Sequence, residues 1–190
     1  MTAQIADKYY YKDETYNIIA LSAPAYFQPE EYGLKPVAKC TACWRGHWCE
    51  FEITDTSLLL QTLNISCAND EYPDLFGVKA EQVKDFFCDM KYNNLNHPME
   101  YDGSIVIGRN FITDYYIHMG FQRAWAYEDV YELVFENGIL VKEINHSEFV
   151  KELRQKIDSD PNFKRKLHSN IIDFVESSFS LDSKVKLWWI

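Results

Sequence analysis

A chain of 190 residues is long enough to bury a sizeable core and short enough to do so as one domain, residues 1–190. Hydrophobic residues at 47%, with 13 Tyr, 12 Phe and 5 Trp, exclude disorder, because such a chain buries enough apolar surface to offset its ordering entropy. A formal charge of −10 disfavours binding to nucleic-acid phosphates.

The acidity is uneven. Residues 1–147 carry 11 Lys/Arg against 22 Asp/Glu, whereas residues 148–190 carry 8 against 7. A field of that sign steers a basic partner toward the first part of the chain. Residues 1–8 lack the charged and apolar regions of a secretory signal, and no apolar run is long enough to span a bilayer. Five cysteines leave one thiol over from any full set of disulfides, so a reducing cytoplasm is expected.

Along the chain, Tyr9–Tyr11 and Tyr16–Leu21 flank the polar Lys12–Thr15, which predicts a β-hairpin. Pro29 to Gly33 reads as one helical turn, with proline pre-set for its start and glycine free to end it. From His47 to Thr54 the residues alternate, with His47, Cys49, Phe51 and Ile53 on one face and Trp48, Glu50, Glu52 and Thr54 on the other. That is a half-buried strand. Leu58–Ile65 is a second strand. Val83, Phe86, Phe87 and Met90 recur at helical spacing, which predicts an amphipathic helix over 80–90.

Strand character returns at Ser104–Ile107 and Phe111–Met119, and Val130–Ile144 forms a hairpin around Asn137-Gly138. Pairing like with like favours a three-residue loop, with Glu132 opposite Lys142 and Leu133 opposite Val141. Ser147 opens a helix with the stripe Phe149, Val150, Leu153 and Ile157. Asp160-Pro161 opens a second, carrying Phe163, Leu167, Ile171 and Phe174. Strands first and helices last predict an α+β fold: an antiparallel sheet of hairpins, one mid-chain helix, and a C-terminal helical pair packed on the sheet.

The densest chemistry lies in Cys40-Thr-Ala-Cys43-Trp-Arg-Gly-His47-Trp-Cys49. Three thiols and one imidazole within ten residues are a possible tetrahedral zinc set, although only one residue separates the last two ligands. Burial is the competing reading, since free cysteine is among the most buried residue types. His118 stands alone between apolar neighbours, and no hydrolase, Walker-type or dinucleotide motif occurs.

The aromatics point elsewhere. Tyr and Trp anchor protein interfaces because they combine contact area with a polar tip. Tyr115, Tyr116, Trp125 and Tyr127, next to Glu128 and Asp129, are the candidate partner-binding residues. In size, charge and composition the chain is similar to bacterial immunity proteins that neutralise a cognate toxin. That resemblance implies a non-catalytic protein that binds a basic partner protein. The alternatives are a thiol- or zinc-dependent protein centred on Cys40, Cys43, His47 and Cys49, and a small-ligand module with an aromatic pocket.

Overall fold

A computed structural model describes residues 2–24, 27–160 and 177–186. Ten strands form one mixed sheet: β1 (Lys8–Tyr11), β2 (Glu14–Leu21), β3 (His47–Ile53), β4 (Leu58–Ile65), β5 (Glu81–Gln82), β6 (Met90–Tyr92), β7 (His97–Pro98), β8 (Gly103–Phe111), β9 (Tyr127–Glu136) and β10 (Ile139–Asn145). Their order is β10-β9-β8-β2-β1-β3-β4-β6-β5, with β7 also on β4. Every pairing is antiparallel except β1 with β3, which is parallel. One main helix, α1 (Ser147–Ser159), packs on the sheet.

One face carries the main core. Tyr9, Tyr16, Ile18, Phe51, Leu60, Leu63, Ile107, Leu133 and Phe135 converge there from six strands, and Leu75, Leu95, Met99 and Tyr101 cover them from the connecting loops. Extra residues in β2, β4 and β10 break the ladder register, and such bulges increase local bend and twist. The sheet curls until the β9–β10 turn reaches the start of β4: Leu58 N–H donates to the Gly138 carbonyl at 2.8 Å, and Gly138 N–H donates to the Tyr101 carbonyl at 3.0 Å. Four strands separate β9 from β4 in the order, so these bonds close a wide arc.

The other face is covered twice. At β2, β8 and β9, the residues Ile19, Val106 and Val130 lie under Val150, Leu153 and Ile157 of α1 and under the turn Ala124–Ala126. At β3, Trp48 packs with Cys43 and Cys88. Between those two covers, no cluster of described residues packs over the outer face of β1 and β3, where Tyr10 is 41% exposed.

Several expectations hold. The β1–β2 hairpin forms, the single turn Pro29–Tyr32 ends at Gly33 in the left-handed region, and β3 and β4 lie where alternation puts them. Four are corrected. The mid-chain helix is absent. Asp85 Oδ1 accepts the Phe87 N–H at 2.8 Å, a local bond that competes with helix, and the residue buried is Cys88, while Phe86 is 74% exposed. The Phe111–Met119 strand ends at its first residue. Gln122 bonds both the N–H and the C=O of Ile117, at 2.9 and 2.8 Å, and so replaces a strand partner.

The β9–β10 hairpin turns on two residues, with Ile139 opposite Glu136. Asn137 and Gly138 both have positive φ, as the twist-matched tight turn requires, and the bulge at Val141 then sets Lys142 opposite Val134. Finally, among the described residues the fold is mostly β with α1 as its main helix and no C-terminal helical pair; the expected second helix from Asp160-Pro161 falls mainly on residues outside those described, as does Trp188-Trp189-Ile190. Among the described residues, no helix is long and apolar enough to cross a membrane.

A Cβ on Gly138 would lie 2.1 Å from the Met99 carbonyl oxygen, in a left-handed backbone that alanine resists. Gly138→Ala is expected to lower the unfolding free energy by about 2–4 kcal/mol, read by urea denaturation.

Candidate functional site

The open outer face is acidic and aromatic. Alternation on β1 turns Tyr9 and Tyr11 to the core and leaves Tyr10 outside, 41% exposed. Alternation on β3 puts Glu50 and Glu52 on the same outer side, and the parallel register sets Tyr10 beside Glu52. The Tyr10 hydroxyl donates to Glu50 Oε2 at 3.4 Å, and Gln61 Nε2 donates to Glu52 Oε2 at 2.6 Å. At the end of these strands a groove of about 780 Å³ is lined by Tyr10, Tyr11, Lys12, Asp13, Glu52, Ile53, Thr54 and Asp55. Lys12, the one cation among the described residues of its wall, is already paired with Glu143 at 2.6 Å. Among the described residues, the groove therefore presents three carboxylates and an exposed phenol with no free positive charge on its wall.

Beneath this face lies a buried ion pair. Asp7 precedes β1 and is 7% exposed. Arg45 grips it in a fork, Nη1 to Oδ2 at 2.9 Å and Nη2 to Oδ1 at 3.0 Å, and Cys49 N–H donates to Oδ1 at 2.8 Å. Burial alone would raise the Asp7 carboxyl, but the Arg45 charge and these hydrogen bonds outweigh it and hold the group below its ordinary value. The guanidinium also lies over the Phe121 ring, 5.3 Å from its centroid.

The cysteine segment does not converge on one point. Cys49 faces the main core, whereas Cys43 lies in the outer cluster with Trp48 and Cys88. Cys40 is half-buried at the edge of that cluster. His47 holds its Nδ1 3.0 Å from the Arg45 carbonyl, and burial followed by the Arg45 charge lowers its pKa. Among the described residues, no three His, Cys, Asp or Glu side chains are grouped as metal ligands. Burial pushes the Cys43 and Cys88 thiols up to about 11 and Cys49 well above its usual value, which leaves each a poor nucleophile near neutral pH.

The six residues expected to bind a partner are likewise divided. Trp125 is 6% and Tyr127 3% exposed, because the turn Ala124–Ala126 tucks both beneath α1. Tyr115 is half-buried and donates to Asp158 at 2.6 Å. Asp129 is held by Arg109 Nε and Asn110 Nδ2, both at 2.8 Å. Tyr116 and Glu128 alone among the six are exposed. Among the tyrosines and tryptophans, Tyr9, Tyr11, Trp48, Trp125 and Tyr127 are buried within the main core or its satellites. Sequence reading passed over Tyr10 as a site residue although the alternation of β1 and β3 was the signal for it; the parallel pairing that joins those strands had none. Comparisons with protein-family models, curated proteins and solved structures find no match for this chain.

Two outcomes are expected. Because the native Asp7 carboxyl titrates below its ordinary 3.8, its stabilising contribution is complete above that pH and is lost as pH falls through the lowered native value. Acid titration of unfolding free energy should show this loss in the parent and less of it in Asp7→Asn. In native protein at neutral pH, iodoacetamide should label Cys40 before Cys43, Cys49 or Cys88, read by peptide mass spectrometry over time.

Proposed function

We propose that this protein is a non-catalytic binding domain that receives a basic protein partner on the acidic outer face around Tyr10, in the manner of a toxin-neutralising immunity protein. One observation carries the reading: the open groove of about 780 Å³ where Tyr10, Asp13, Glu52 and Asp55 meet without a free cation among the described residues. An exposed tyrosine supplies apolar contact and a hydroxyl, and the carboxylates supply complementarity to Lys or Arg. The 22 acidic residues of the first 147 reinforce the local field over the distance on which encounter is steered. The thiol- or zinc-dependent alternative has less support, since its residues are split between two faces of β3 and the buried thiols are held protonated.

Charge reversal tests the proposal. The protein would be immobilised, exposed at low salt to extract of its own cells, and the captured partner purified. Glu50→Lys with Asp55→Lys should weaken the reconstituted complex about tenfold or more, mainly through slower association, and should flatten its salt dependence. Tyr116→Ala, at an exposed residue that does not line the groove, should leave affinity unchanged. A partner indifferent to both salt and charge reversal would sink the reading.

A further inference from the structure

Arg45 has donors left over. Its two terminal nitrogens each give one N–H to Asp7, which occupies the end of the guanidinium. A guanidinium carries five N–H groups. The side-on edge, Nε–H with an outer Nη–H, makes no hydrogen bond to any described residue. Arg45 is a wall of two neighbouring cavities, which share it with Leu21 and Leu181. A narrow one of about 30 Å³ is lined by Asp7, Arg45, His47 and apolar side chains. A wider one of about 430 Å³ shares Arg45, Leu21 and Leu181 with it and opens past Ala23 and Pro24 to Asp182 and Lys184. Leu21 N–H donates to the Leu181 carbonyl at 2.6 Å, so the C-terminal segment forms one wall of the wider cavity as if it were an added strand.

We propose that this joined cavity binds a small apolar molecule bearing one carboxylate, with the carboxylate on the side-on edge of Arg45 and the apolar body against Leu21, Ala23 and Leu181. The site is separate from the acidic groove and does not depend on it. The side-on edge matches a carboxylate in geometry as well as charge, because its two N–H groups are parallel. Asp7 neutralises much of the Arg45 charge, so Lys184 at the mouth supplies the remaining attraction. Asp182, also at the mouth, opposes it; its Oδ1 accepts the Lys184 backbone N–H at 2.9 Å. Mostly apolar walls with a few convergent polar groups are the usual composition of a small-molecule site.

The probe is isovalerate, with isovaleramide of the same shape as the uncharged control, titrated into the full chain and followed by NMR. Isovalerate should give saturable shifts at the Arg45 Nε–H and at the Leu21 and Leu181 methyls, and the amide should give none. Lys184→Met, a substitution at an exposed residue, should weaken isovalerate about threefold or more, and Asp182→Asn should tighten it by a similar factor. The proposal is overturned if the amide shifts the same resonances with equal affinity, if isovalerate shifts none of them, or if both variants bind as the parent does.

Discussion

The buried pair Asp7–Arg45 is the interaction on which the arrangement of strands depends. Hairpins set their own register through their turns, and most strands here are joined that way. The parallel contact of β1 with β3 has no such turn, because 35 residues separate Tyr11 from His47. Asp7 supplies what the missing turn cannot. Its carbonyl accepts the Ile18 N–H of β2, its carboxylate accepts the Cys49 N–H of β3, and Arg45 fixes that carboxylate from the loop before β3. Three segments distant in sequence are locked at one residue, β2 through its carbonyl and the other two through its carboxylate.

From that lock the rest follows. With β1 held between β2 and β3, the sheet is continuous from β10 to β5 and can curl around its core until the β9–β10 turn meets β4. The same placement decides which side chains are left outside. α1 covers the outer face at one end and the Cys43–Trp48–Cys88 cluster covers it at the other, so Tyr10, Glu50 and Glu52 are the residues that the two covers do not reach. The two edges are guarded. β5 has two exposed polar residues, and β10 sets the exposed charges of Lys142 and Glu143 along its length, which disfavours burial against another strand.

How much of this was legible in the sequence depends on the range of the interaction involved. Alternation within β3 and the β1–β2 hairpin were plain, because period-two patterning and local turns are short-range signals. The helix expected over 80–90 failed because a stripe of Val83, Phe86, Phe87 and Met90 records periodicity without recording whether a surface exists to receive it; the chain buried Cys88 instead. Trp125 and Tyr127, expected at an interface, are buried for the converse reason: next to Glu128 they read as a binding edge, and only the packing of α1 places them in the core. Asp7 and Arg45 carry no motif. A buried charge pair is a long-range fact, and one acidic residue near the N-terminus of an acidic chain gives no sign of it.

A double-mutant cycle on Asp7 and Arg45 tests the central claim most directly, with unfolding free energies measured for the parent, Asp7→Asn, Arg45→Met and the double variant. Each single change should destabilise strongly, by about 3–5 kcal/mol, because it strands a buried partner, and the double variant should lose much less than the two together. A coupling below about 0.5 kcal/mol would contradict the account, since Asp7 and Arg45 would then be acting independently and the parallel register of β1 on β3 would rest on something else.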